Sequence, residues 1–131
     1  MTLQEIGQKA KEVSHVLGIL GTEEKNRGLR AVADALVSGQ DGILAANEKD
    51  MEKARENGMS QGLLDRLKLT PARIEGMAEG LRQVADLEDP VGEVISMKQR
   101  PNGLMIGQKR VPLGVIGMIY EARPNVTADA F

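Results

Sequence analysis

The residues able to do chemistry crowd into the last dozen positions of this sequence. Tyr120, Glu121, Arg123, Pro124, Asn125, Thr127 and Asp129 follow directly on an apolar run from Leu113 to Ile119. The side-chain amide of Asn125 can donate to an oxyanion as charge builds on a carbonyl oxygen, a contribution of ~3 kcal/mol in a transition state. The same side chain, after Pro124, can instead bond its own backbone in a turn. Arg123 is a planar, two-pronged donor suited to phosphate or carboxylate. It can equally clamp Glu121 or Asp129. Tyr120 and Glu121 complete the loop without an assignable role. Thr127 and Asp129 are of the right type to cap a helix beginning there.

Elsewhere the candidates are weaker. Gly114 and Gly117 lie inside the apolar run rather than between a strand and a helix, and no Walker lysine follows. They read as sites of close backbone approach, not as a phosphate loop. Lys109 and Arg110 read as edge charges that discourage strand pairing. His15 is the only histidine and lies off the apolar stripe of its helix, with no partner at a useful spacing. It reads as a surface histidine. Cysteine is absent, so the sequence holds no disulfide, thiolate metal site or cysteine nucleophile, and no metal site is expected.

Composition narrows the classes further. The 17 basic residues nearly balance 19 acidic ones, for a formal net charge of -2. Aromatics are 2% of the chain, so the basic, aromatic-laced surface of a nucleic-acid binder is missing. No apolar run approaches the ~20 residues a membrane helix needs. The first residues do not form a secretory signal. A cytoplasmic protein, without nucleic acid or membrane as partner, is expected.

The elements that must hold the loop follow from periodicity. Thr2 and Glu5 have capping-box spacing. Leu3, Ile6, Ala10, Val13, Val16, Leu17 and Leu20 then mark one helical face, ended by Gly18 and Gly21. Thr22 is expected to cap a second helix, with Leu29, Val32, Ala33, Leu36 and Val37 as its stripe, closed by Gly39. Ile43 to Ala46 begin a third helical segment, and Asn47 has the type of a cap restarting it through Lys53 to Asn57. Ser60 can cap a short turn carrying Leu63, Leu64 and Leu67. Thr70 before Pro71 is a strong helix start. Ile74, Met77, Ala78, Leu81, Val84 and Ala85 follow as its buried stripe. Gly76 and Gly80, four apart, are either close-packing glycines or merely tolerated ones. After Pro90 the period drops to two, with Pro101-Asn102-Gly103 as a turn. The pattern predicts helices over about residues 2–87, a hairpin near 93–111, and a buried strand near 114–120. A polar loop past the carboxyl end of such a strand is where open α/β sheets place ligands.

The run VPLGVIGMIYEARPNVTADAF, Val111 to Phe131, resembles the γ-glutamyl phosphate reductase family, within the aldehyde dehydrogenase superfamily. EKNRGL from Glu24, ILAANEKD from Ile43 and LLDRLKLTPARIEGMAEGLRQVADLEDPVGEV from Leu63 agree with it. The resemblance covers essentially all 131 residues and corresponds to the N-terminal third of a family enzyme, so a fragment is expected. It implies an α/β fold in three parts. Residues 1–90 would be the helical region of the cofactor-binding domain, and residues 91–111 the hairpin of the oligomerisation region. Residues 112–131 would be the first strand of a Rossmann-like parallel sheet with its active-site loop. The implied reaction is the NADPH-dependent reduction of L-glutamate 5-phosphate to L-glutamate 5-semialdehyde in proline biosynthesis, through a cysteine thioester, by a homo-oligomer. Within it Asn125 would be the oxyanion donor and Arg123 a substrate-binding residue. The catalytic cysteine and the cofactor phosphate site are expected outside these residues. The rival reading is a non-catalytic helical module that assembles with another chain.

Overall fold

A computed structural model describes all of residues 1–131 as two compact units. One comprises Met1–Thr22 and Glu88–Gly117, the other Glu23–Leu87 and Met118–Phe131. No helix is long and apolar enough to cross a membrane.

The first unit holds helix α1 (Leu3–Leu17) and an antiparallel hairpin, β1 (Val94–Gln99) with β2 (Met105–Lys109). The capping box forms as expected: Glu5 N donates to Thr2 Oγ1 at 3.2 Å, and Thr2 N donates to Glu5 Oε2 at 2.7 Å. Gly18 ends the helix, its N–H reaching back to Ser14 O. The apolar face of α1 is real, but none of its residues is buried.

The hairpin lies where the period of two places it. Gly103, at φ +85°, closes its turn by donating to Arg100 O, and Asn102 Oδ1 accepts from Leu104 N. The register slips between Val94 and Ser96, leaving Ile95 as the extra residue of a bulge. Arg110 does not stand free at the edge but meets Glu93 at 2.7 Å. The tight glycine here is Gly107. A Cβ on it would meet Met97 Sδ at 2.8 Å and the backbone oxygen of Ser96 at 2.9 Å. The methionine can swing away, but the carbonyl is part of the ladder. Gly107→Ala is therefore expected to lower hairpin stability by about 1–3 kcal/mol. The check is amide exchange of β1 and β2, which should accelerate while α1 exchange stays unchanged; unaltered hairpin protection would refute it.

The second unit contains α2 (Thr22–Ser38), whose first residue belongs to the first unit, α3 (Gln40–Glu56), α4 (Gln61–Leu67), α5 (Pro71–Ala85) and a single turn, α6 (Val126–Asp129). The stripes predicted for α2 and α5 are those that pack. Ala33, Ala78, Leu81 and Ala128 form the buried cluster, bordered by Leu29, Val32, Leu36, Val37 and Met77. Ile74 is the largest fully buried side chain, 1% exposed. With aromatics absent from this core, small alanines let the helices approach, and α6 is docked through Ala128. Arg82 ties α5 to α2, meeting Glu75 at 3.0 Å and Asp34 at 3.4 Å. Hydrogen bonds to Glu75 first, then to Asp34, raise its pKa above the ordinary arginine value.

Several local expectations are corrected. Asn47 caps nothing: α3 is one continuous helix through it. Thr22 is the first residue of α2, not its cap, and its hydroxyl donates to Asp89 Oδ2 at 3.2 Å. Ser60 does stand before α4, but its side chain makes no capping bond. Thr70 behaves as expected, accepting from Arg73 N with Pro71 at the first helical position. Gly76 and Gly80 have no neighbour within 4 Å of an added Cβ, so they are tolerated, not close-packing. Gly114 and Gly117 likewise approach nothing; Gly114 answers instead to its φ of +91°.

The largest correction concerns residues 114–120. They form no strand and are exposed throughout, Ile119 at 104%. A parallel strand exists only through backbone bonds to neighbouring strands. The one sheet here is the hairpin, whose two strands pair only with each other.

Candidate functional site

Arg123, Pro124, Asn125 and Asp129 do gather at a cleft, of about 390 Å³. Its remaining lining comes from the last turn of α4 (Asp65, Arg66), the α4–α5 connection (Lys68, Leu69) and the first half of α5 (Arg73, Gly76, Met77). All of these residues belong to the second unit.

The loop carrying Arg123 and Asn125 is shaped by three local features. Tyr120 Oη and Thr127 Oγ1 lie 2.6 Å apart, closing the loop across its base. Tyr120 thus acquires a role the sequence did not disclose, and Thr127 serves the latch rather than capping a helix. Ala122 sits at φ +52°, the left-handed region that costs a non-glycine residue roughly 1–2 kcal/mol. Strain of this kind is tolerated where surrounding contacts over-determine the backbone. The third feature is α6, whose amides at Ala128 and Asp129 both bond Asn125 O.

Asn125 stands at the N-cap position of α6, yet its side chain makes no capping bond. Its Nδ2 donates to Asp129 Oδ2 at 2.7 Å. The turn alternative, an amide bonding its own backbone, is not what the structure adopts. A carboxylate accepts only, so this bond identifies which end of the amide is nitrogen and which way it faces. An amide nitrogen has two hydrogens; one is engaged by Asp129 and the second remains available. Asp129, expected as a cap or as a partner of Arg123, is the orienting group of Asn125. Arg123 forms no ion pair with Glu121 or with Asp129, so the structural clamp does not form.

The sequence reading missed the other wall. Arg73 donates through Nη1 to Asp65 O and to Lys68 O, the latter at 2.7 Å, and through Nη2 to Asp65 Oδ1 at 3.1 Å. Asn47, 7% exposed, binds the same segment from α3: Nδ2 donates to Leu67 O at 2.9 Å and Oδ1 accepts from Leu69 N at 2.7 Å. The signal was the charge-dense Asp65-Arg66-Leu67-Lys68 before the Thr70-Pro71 helix start, which reads by itself as a turn with leucine anchors.

His15 is exposed on α1 and lines no part of the cleft. Ser14, beside it, donates to Lys11 O instead. No three His, Cys, Asp or Glu side chains gather as a metal site.

No protein-family model matches the chain. It is 60% identical over 130 residues to γ-glutamyl phosphate reductase of Lachnospira eligens, covering 99% of this chain and 31% of that protein. It is 62% identical over 123 residues to the enzyme of the same name from Halothermothrix orenii, covering 94% of this chain and 29% of that one. Among solved structures, γ-glutamyl phosphate reductase of Thermotoga maritima superposes with a TM-score of 0.93 at 45% identity, over 98% of this chain and 31% of that one. The Saccharomyces cerevisiae structure of the same name gives 0.92 at 35% identity, over 99% of this chain and 33% of that one. The chain thus spans about a third of the length of these relatives.

Proposed function

We propose that this chain, homologous along its length to the N-terminal part of γ-glutamyl phosphate reductase, supplies that enzyme's oxyanion donor and one face of its substrate cleft. The reaction is the reduction of L-glutamate 5-phosphate to L-glutamate 5-semialdehyde with release of phosphate, a step of proline biosynthesis. The observation that carries this reading is that Asn125 stands in a polar cleft with its amide already oriented by Asp129.

In the acyl-transfer half, a thiolate attacks the γ-carbonyl carbon of the acyl phosphate. The new C–S bond forms as negative charge gathers on the carbonyl oxygen. The second N–H of Asn125 donates to that oxygen. Collapse of the intermediate breaks the bond between carbon and the phosphate oxygen, and phosphate leaves. A donor held in place before the charge develops needs no reorganisation during the step, and that makes it effective. The thiolate cannot come from these residues, which include no cysteine. Arg123, with a fork suited to carboxylate or phosphate, binds the substrate in the same cleft.

The reductive half requires hydride, which NADPH supplies to enzymes of this kind. The residues here do not fit a dinucleotide. No glycine-rich turn leads from a strand into a helix among these residues. The contribution proposed for this chain is to acyl transfer.

The reading is tested by exchanging the N-terminal part of a full-length γ-glutamyl phosphate reductase for these 131 residues. The chimera is expected to keep phosphate-dependent oxidation of L-glutamate 5-semialdehyde within about tenfold in kcat/KM, equivalent to ~1.4 kcal/mol. A folded chimera without that activity would refute the proposal.

A further inference from the structure

The cleft holds four cations, Arg66, Lys68, Arg73 and Arg123, against two carboxylates, Asp65 and Asp129. Both carboxylates are engaged within the chain. Asp65 meets Arg73 at 3.1 Å, and Asp129 accepts from Asn125 at 2.7 Å. Arg73 is also engaged, on the backbone oxygens of Asp65 and Lys68. Arg66, Lys68 and Arg123 remain without an ion pair, so the cleft presents uncompensated positive charge.

The segment bearing two of these cations, from the last turn of α4 into its connection to α5, is held by side chains of two other helices. Arg73 binds Asp65 O and Lys68 O, while Asn47 binds Leu67 O and Leu69 N. Four backbone groups within five residues are thereby satisfied by two side chains from α3 and α5. Asn47 has both its amide nitrogen and its oxygen committed, and it is the one buried polar residue of the chain. A surface turn does not need such support for solubility. Such support fixes the segment before a ligand arrives, and a pre-ordered segment does not subtract an ordering cost from affinity.

We propose that the last turn of α4 with its connection to α5 is the wall of the cleft that binds an oxyanionic group of the substrate, through Arg66 and Lys68, and that Asn47 is its positioning residue. This rests on the reading of the cleft as a substrate site. The group is a carboxylate or a phosphate, and the reverse reaction separates the two, because there L-glutamate 5-semialdehyde carries the carboxylate and inorganic phosphate is a separate molecule.

The test uses the chimera that carries these 131 residues, assayed in the reverse direction. Arg66→Met with Lys68→Met should raise the KM of one of the two substrates by about tenfold or more, the scale of losing a charge-assisted hydrogen bond. The other KM and kcat should hold. Arg66→Lys with Lys68→Arg should recover most of the loss. Asn47→Asp keeps size and the acceptor for Leu69 N, but sets a carboxylate against Leu67 O; it should raise the same KM and leave kcat unchanged. If that variant does not fold, the two exposed cations decide the matter alone. Unmoved KM values, equal rises in both, or a fall confined to kcat would overturn the inference while the active parent chimera left the cleft reading standing. An inactive parent chimera would overturn both.

Discussion

The 131-residue chain, purified by itself and verified by mass, is expected to turn over neither L-glutamate 5-phosphate nor L-glutamate 5-semialdehyde. The chemistry needs a covalent carbonyl adduct, and the chain has no cysteine to form one. Its serines are poor substitutes, since a serine nucleophile needs a positioned base. Ser14 and Ser38 donate to backbone oxygens one helical turn earlier, at Lys11 and Ala35. Ser60 and Ser96 lie in the approach to α4 and in β1, and none of the four lines the cleft. The sole histidine is on α1. The measurement is cofactor absorbance with and without substrate, and steady substrate-dependent NADPH consumption would overturn the expectation. The apolar residues Leu113, Val115, Ile116, Met118 and Ile119 are exposed. The isolated chain should therefore also associate as its concentration rises.

Asn125→Ala, made in the active chimera, is expected to lower kcat by roughly 10²–10³-fold, the range for removing one oxyanion donor. The KM of the nicotinamide cofactor should barely move, because the donor acts where charge develops and not on the nucleotide. Asp129→Asn should lower kcat in the same direction but by less, since it disturbs only the orientation of the donor amide. Both follow from one geometry: an amide nitrogen 2.7 Å from a carboxylate, with its second hydrogen uncommitted. Wild-type turnover in Asn125→Ala would return that residue to a purely structural role at the start of α6. A cofactor KM that rose along with the fall in kcat would point to a general loss of structure instead.

The sequence by itself determined the local elements. Caps at Thr2 and Thr70, the apolar stripes of α2 and α5, and the change of period after Pro90 are all short-range signals, acting within a few residues of chain. Helix starts and a hairpin turn need nothing more. Residue type and resemblance also singled out Arg123 and Asn125, and the structure places both at the cleft. What the sequence could not carry was any pairing between distant segments. Asn47 looks like a cap because asparagine favours caps; it is instead a buried bridge to residues twenty and more positions away. Arg66 and Lys68 look like ordinary turn charges until α5 and α6 pack together and set them beside Arg123. The apolar run at 113–119 shows the converse. Its composition suits a buried strand, but a strand is a relation between segments, and among these residues it has no strand to pair with. Propensity is a property of a few neighbouring residues, whereas burial and sheet pairing depend on which surfaces the whole fold brings together.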